Sequence, residues 1–313
     1  MTLKELQIFT LLAELGSVTS VATSMGVAQS AISRQIADLE ANVGQRLFHR
    51  TGRGLVATEF AQSILPRAVA LLTEMRRFAD DTKAGAGEAG GVVTIGFVPG
   101  VTTPLGSLLF NRLRQSFPGI QLNIFEGYSG EIEAWLATSK IDIGILNSYR
   151  SDSPVRYQPM FSSDIFLVGA SGSTIIDGPA IDFERLAEVP LVFTVTPNNL
   201  TMLCEKIARQ RGIKLRIEAR SDSARALHDL VANSGLHCPL PYHAVAAQLF
   251  SGSFKTAHIV NPTIAQKVVL ATSTHHPLSM AARHVTKILL DLKREMPADH
   301  RLPSAGPRLV ATP

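Results

Sequence analysis

The chain has 313 residues, enough for about two domains. Hydrophobic residues make up 45% and charged residues 18%, a balance that builds sizeable cores and excludes an intrinsically disordered chain. A net charge of +4 and a pI near 9.2 permit a nucleic-acid partner without demanding one, and no apolar run reaches the length of a membrane span.

Leu3, Leu6, Phe9, Leu12 and Ala13 recur at helical spacing and mark a first amphipathic helix ending near Gly16. Ser17 is placed to cap a second, short helix that turns Val21, Ala22 and Met25 inward. Gly26 can take the positive φ of a tight turn, and Val27 fills the space beneath it. A third helix is expected at about 29–43, with Ile32, Ile36, Leu39 and Val43 on its core face. Gln29 then sits at the tip, Ser30 and Arg34 point outward, Ser33 lies beside them, and Gln35 lies on the flank toward the core. A helix-turn-helix offers the N-terminal residues of its second helix to base edges. Gln pairs with adenine, Arg with guanine, and Ser with donors or acceptors.

Gly44 ends that helix, and Leu47 and Phe48 anchor a hairpin-like loop carrying Arg50, Thr51 and Arg53. Two arginines on such a tip suit phosphate or minor-groove contact. With Arg34 and Arg46 they concentrate positive charge on this segment, so binding should weaken steeply with salt. The alternative is a small helical protein-binding module with a solvated basic loop.

From Thr58 to about Lys83 the chain reads as one long helix capped by Thr58, with a kink expected at Pro66. Ile64, Ala68, Leu71, Met75, Phe78 and Thr82 alternate four and three residues apart, the spacing of a coiled-coil seam, which implies a homodimer. The alternative is a helix lying on the surface of its own domain. The run Ala84-Gly-Ala-Gly-Glu-Ala-Gly-Gly91 then reads as a flexible hinge.

Beyond the hinge, strands and helices alternate: strand 92–98, helix 105–117, strand 120–125, helix 131–139 and strand 141–146. That order implies a parallel sheet covered by helices. A second set has strands at 165–169, 191–196 and 215–219, with helices at 183–186, 200–211, 224–232 and 242–249. A strand at 268–272 and a helix at 280–295 follow, and the Pro-rich tail 297–313 is expected to be disordered. Ligands of open α/β sheets sit at the carboxyl ends of strands, beside helix N-termini. The turn Val98-Pro-Gly100-Val101-Thr102-Thr103 and the turn Gly127-Tyr128-Ser129-Gly130 occupy such places. Thr194, Thr196, Asn198 and Asn199 face them from the second set, with His237 nearby. The candidate effector residues are therefore Gly100, Val101, Thr102, Thr103, Ser129, Thr196, Asn198 and His237, suited to a small anionic or otherwise polar metabolite.

The pattern Gln29-Ser-Ala-Ile-Ser33, then Ile36, Leu39-Glu40, Gly44, Leu47-Phe48, Arg50 and Thr58-Glu59 resembles the N-terminal signature of LysR-type transcriptional regulators. Ser30 departs from it, standing where many members carry proline. A second departure is His237-Cys238-Pro239, where members usually continue Gly-Leu-Gly with apolar residues. The Val98-Pro99-Gly100 turn and the strand from Asp164 to Gly169 look somewhat like the nitrogen-assimilation-control type. The resemblance implies an α/β protein with an N-terminal all-α winged helix-turn-helix and a C-terminal two-lobed periplasmic-binding-protein-like α/β domain. Its units would be a DNA-binding domain 1–58, a dimerising linker helix 59–84, a hinge 85–91 and an effector-binding domain 92–296. That domain would divide into lobe I, 92–162 and 266–296, and lobe II, 163–265. The resemblance further implies a partly palindromic double-stranded operator and dimers pairing into homotetramers, with RNA polymerase a further candidate partner.

Cys204 and Cys238 fit a reducing compartment without a disulfide framework, and the chain is expected to be cytoplasmic. A redox switch is the sharper reading of these thiols, two unrelated cysteines the plainer one. His237, Cys238 and His243 match no established metal-ligand spacing, so no metal and no cofactor are expected. No phosphate-binding glycine loop and no Gly-x-Ser-x-Gly appears, and Glu126, Asp142 and Asp164 show no partner at catalytic spacing. A metabolite-binding α/β enzyme with an accessory DNA-binding domain is the alternative, and a DNA-architectural protein without an effector is a third reading.

Overall fold

The computed structural model describes residues 1–52, 54–84, 90–148, 156–274 and 277–295. Arg53, most of the glycine-rich hinge, the His275-His276 pair and the tail from 297 lie outside the described residues.

The N-terminal unit is α1 (Leu3–Leu15), α2 (Val18–Met25), α3 (Gln29–Val43) and a hairpin of β1 (Phe48–Thr51) and β2 (Gly54–Ala57). Local chemistry sets each boundary. Thr2 and Glu5 form a capping box on α1, and the Ser17 hydroxyl accepts from Ser20 N at the start of α2. Gly16, Gly26 and Gly44 end the three helices in left-handed conformations. Ile8, Phe9, Leu12, Val21, Ile32, Leu39 and Leu47 form one core, with the Phe9 and Phe48 rings edge-on at 5.9 Å. Ile36 and Val43 are only half-buried at its margin.

The hairpin is tied to the helices by its backbone. Leu55 N donates to Gly16 O at 2.7 Å, and Glu40 Oε1 accepts from Leu47 N at 2.7 Å and Phe48 N at 3.2 Å. At Gly54 the backbone has φ 130°, and a Cβ there would come within 2.5 Å of Gly16 O, so only glycine fits.

Helix α4 (Glu59–Ala84) starts at Thr58, whose hydroxyl accepts from Ala61 N, and continues through Pro66. Its seam residues separate into two groups. Ile64 and Ala68 pack into the N-terminal core, whereas Leu71, Met75 and Phe78 are 57%, 49% and 70% exposed. The opposite face meets the C-terminal half of the chain. Arg77 reaches Asp142 Oδ1 through Nη2 at 2.7 Å and Nε at 3.0 Å, and Asp142 Oδ2 accepts from Thr94 N at 2.7 Å. Asp81 Oδ1 accepts from Met280 N.

The first α/β unit contains β3 (Gly90–Phe97), α5 (Thr102–Ser116), β4 (Gly119–Glu126), α6 (Ser129–Ala137) and β5 (Ile143–Ser148). Strand β3 pairs in parallel with β4 and β5, as the alternation implies. The long strand β6 (Arg156–Ala170) follows, then β7 (Ala180–Asp182), a 3-10 turn at Phe183–Ala187, β8 (Leu191–Thr194), α7 (Asn199–Gln210), β9 (Ile217–Ser221) and α8 (Ala224–Asn233). The chain continues through β10 (Cys238–Pro241), a 3-10 turn at Tyr242–Ala244, α9 (Ala246–Phe250), β11 (Phe254–Val260), β12 (Ala265–Thr272) and α10 (Met280–Glu295).

The main sheet runs β4-β3-β5-β12-β6-β11-β7, with β10 also on β6. It is mixed: β12 is antiparallel to β5 and β6, and β10 and β11 are antiparallel to β6. Strand β6 belongs to two halves. Arg156 to Asp164 pairs with β12, and Ile165 onward pairs with β10 and β11. The cores divide there as well. One cluster joins β3, β5, α5 and α10, and two others gather around β6, α7 and α8.

Candidate functional site

Helix α3 lies with Ile32 and Leu39 buried and its opposite face open. Gln29, Ser30 and Arg34 are exposed and Ser33 half-exposed, forming one accessible strip at the start of the helix, while the half-exposed Gln35 lies on the flank toward the core. In the hairpin, Arg50 and Thr51 are exposed, and the Thr51 hydroxyl donates to Gly54 O. The strip and the hairpin are held together by Glu40, whose carboxylate fixes Leu47 and Phe48. Sequence reasoning took Glu40 only as part of a signature. Its positioning role follows from contacts seven and eight residues away.

A second feature is a cleft of about 470 Å³ where the two halves of the α/β region face each other. From the first half come the turn at Val98, Pro99 and Gly100, the start of α6 at Ser129 and Gly130, and Glu133, Asn147 and Tyr157. From the second come Thr194, the start of α7 at Asn198 and Asn199, Leu227, His228, Leu240 and Pro241. Gln266 sits between them on β12. The halves touch at several places, two of them at the rim of the cleft. The Tyr128 hydroxyl donates to Asp222 O at 2.8 Å, and a Cβ on Gly100, which has φ 86°, would lie 2.7 Å from the Ala244 Cβ. Burial raises the Tyr128 phenol above its ordinary value. Burial likewise lowers His228, whose Nδ1 lies 3.3 Å from Gln248 Nε2, so the imidazole facing the cleft is neutral.

Of the expected effector residues, Gly100, Ser129 and Asn198 line this cleft. Ser129 Oγ is bonded to both backbone atoms of Asn147, and Asn198 Oδ1 caps α7 through Leu200 N and Thr201 N.

The other five lie outside the lining, each for a physical reason. Val101 is wholly buried in the core beneath the turn. Thr102 turns away, and its hydroxyl donates to Glu126 Oε2 at 2.7 Å. Thr103 is exposed on α5, one step further round the helix, and Thr196 is exposed in the loop before α7. His237 is 3% exposed behind β6, with Nε2 at 2.6 Å from Ser173 Oγ. Burial lowers its pKa, so it is neutral.

Of the three carboxylates without an evident sequence partner, two are hydrogen-bonded and the third lies beside a histidine. Glu126 takes the Thr102 hydroxyl, Asp142 takes Arg77, and Asp164 lies 3.2 Å from His258 Nε2. Cys204 and Cys238 are both buried. Burial pushes the Cys204 thiol up to about 12 and Cys238 up as well, which disfavours the reactive thiolate. Among the described residues no three His, Cys, Asp or Glu side chains gather as a metal site, and no helix is long and apolar enough to cross a membrane.

Comparison with known proteins matches both features. A family described as bacterial regulatory helix-turn-helix protein, lysR family, matches residues 3–62, and one described as LysR substrate binding domain matches 86–294. The chain is 24% identical over 294 residues to the nitrogen assimilation regulatory protein nac of Escherichia coli strain K12, covering 93% of this chain and 95% of that one. It is 23% identical to the transcriptional regulator TdcA of the same strain, over 90% of this chain and 88% of that one. Among solved structures, full-length OxyR from Pseudomonas aeruginosa superposes with a TM-score of 0.72 at 19% identity, covering 98% of this chain and 99% of that one. Full-length CbnR in complex with its target DNA superposes with a TM-score of 0.71 at 19% identity, covering 94% and 99%.

Proposed function

The chain belongs to the LysR family of transcriptional regulators, with a DNA-binding helix-turn-helix and an effector-binding domain, and from that premise we propose how its own residues divide the work. The units are the DNA-binding domain 1–58, the linker helix 59–84, the hinge 85–91 and the effector-binding domain 92–296, whose lobes exchange near 163 and 265. Helix α3 enters the major groove, and Gln29, Ser30, Ser33 and Arg34 meet base edges, with Gln35 at the margin. Arg50, Thr51 and Arg53 contact the flanking backbone or minor groove. The observation that carries this reading is the accessible polar strip at the start of α3, rigidly joined to a basic hairpin.

Two such units act together. Leu71, Met75 and Phe78 leave an apolar stripe on α4 that no other described residue of the chain covers, and a second copy would bury it. Dimers pair into a tetramer on a partly palindromic operator. A small polar metabolite in the cleft shifts the balance between lobe arrangements, and α4 carries the shift to the DNA-binding domain. The protein works in the cytoplasm, where operator and RNA polymerase are found. The comparisons lend no support to the enzyme alternative.

The test is enrichment of random double-stranded DNA by the full-length protein. The expected result is a partly palindromic sequence with half-sites about one helical turn or a multiple apart. Recovery of DNA without any shared sequence would refute base reading by α3.

A further inference from the structure

The charge balance of the cleft does not favour an anion. Among the described lining residues there is no lysine or arginine, and the one carboxylate is Glu133. Arg156 and Arg225 adjoin lining residues in sequence, but both are exposed and outside the lining. Glu133 Oε1 accepts from the Tyr157 hydroxyl at 2.7 Å, and its Oε2 has no hydrogen-bond partner among the described residues.

The helix N-termini at the cleft are the other source of positive potential. At α6 and α7 the chain's own side chains take some of these N–H groups, whereas α5, which follows the Gly100 turn, has no side-chain cap. Glu131 in the first turn of α6 accepts from Tyr128 N at 2.9 Å, and Asn198 Oδ1 takes Leu200 N and Thr201 N of α7 at 3.1 Å each. The neutral His228 adds no charge.

A second, independent observation concerns acceptors. Gln266 lines the cleft at 3% exposure, and its Oε1 is buried without a hydrogen-bond partner. Asn147 lines it as well, and its Oδ1 is also buried and unpartnered. Buried acceptors left without donors are costly, and a ligand rich in N–H groups relieves that cost. A carboxylate ligand sets its charge against Glu133 and brings no N–H donor to the unpartnered oxygens of Gln266 and Asn147.

We propose that the effector of this protein is a small amine-bearing metabolite without net negative charge, its ammonium seated against Glu133 and its other N–H donors directed to Gln266 and Asn147. This rests on the reading of the cleft as the effector site, and it narrows the anionic or otherwise polar ligand that the loop chemistry suggests to its amine-bearing members.

The test is calorimetric titration of the full-length protein with putrescine and glutaminamide on one side and succinate and glutarate on the other. Three proteins are compared: wild type, Glu133→Gln and Gly130→Trp. Gly130 lines the cleft and a Cβ there meets nothing within 4 Å, so the indole fills the site without a clash at its base. The expected result is binding of an amine, weakened about tenfold or more by Glu133→Gln, as the loss of a charged hydrogen bond implies, and abolished by Gly130→Trp. Tighter binding of the carboxylates, unaffected by Glu133→Gln but blocked by Gly130→Trp, overturns the charge assignment and leaves the cleft as the effector site. Amine binding that survives Gly130→Trp overturns the cleft reading itself. Absence of binding by both amines at millimolar concentration also overturns the assignment.

Discussion

Replacing Arg77 with methionine removes a charge from the junction between α4 and the sheet while keeping an apolar stem of similar length. Arg77 and Asp142 are each 7% exposed, and two nitrogens of Arg77 serve the same oxygen, Asp142 Oδ1. Thr94 N continues to donate to Oδ2, so the carboxylate keeps one bond and loses two. The neighbouring Glu74 lies 3.4 Å from Arg77 and is 43% exposed, which limits its share to about 1 kcal/mol at most. Leaving a buried charge unpaired costs about 3–5 kcal/mol. For a unit of this size, each kcal/mol moves the melting temperature by about 2–4 °C, so Arg77→Met should lower it by about 6–20 °C. Differential scanning calorimetry measures this directly. Adding Asp142→Asn should recover part of the loss, because the amide is uncharged and its oxygen can still accept from Thr94 N. A single variant that melts within about 2 °C of wild type, or a double variant whose loss equals the sum of its parts, would refute the buried pair as the element docking α4.

Gly54→Ala should destabilise the DNA-binding domain by about 1–3 kcal/mol from backbone strain alone, with a further cost from the contact at Gly16 O, and chemical denaturation would show it. Phe78→Glu places a charge in the exposed stripe on α4, so sedimentation should show dissociation of the proposed dimer with the fold retained; an unchanged dimer would place the interface elsewhere. His228 and His237 both have lowered pKa values caused by burial, so below the ordinary value of 6.5 the unfolded chain binds protons that the folded chain does not. Stability should therefore fall as pH drops through 6.5, and His237→Gln should flatten that fall; a profile as steep as wild type would contradict it.

The N-terminal unit is legible in sequence because its determinants are local. The caps at Ser17 and Thr58, the glycines at 16, 26 and 44, and the periodic Ile32 and Leu39 all act within a turn or two of their own helix. The effector region is less legible because its geometry is set across long separations. The pairing of Arg77 with Asp142 spans 65 residues, and no local pattern announces it. The first half of β6 carries polar residues through Arg156 to Asp164, since it crosses between halves with many positions exposed. The prolines of β10, Pro239 and Pro241, disguise a strand that, among the described residues, pairs with β6 alone. Strand β11 also escapes the sequence reading, although Phe254, Ala257 and Ile259 are buried along it. At the cleft, the turns singled out by loop chemistry adjoin the space, but only some of their residues line it. Gly100 faces the space, Val101 points into the core, and Thr102 turns to Glu126. Glu133, Asn147 and Gln266 lie on regular elements, where sequence alone gives no reason to single them out.

Sequence reading by the start of α3 is the central claim, and Arg34 tests it most directly. The measurement is the ratio of affinities for the enriched operator and a scrambled duplex of equal length, at one fixed salt concentration, for wild type and Arg34→Ala. Loss of one good base contact should lower the ratio by about 5–150-fold, equivalent to about 1–3 kcal/mol. Equal weakening on both duplexes, with the ratio unchanged, would assign Arg34 to the phosphate backbone and contradict base reading at that position.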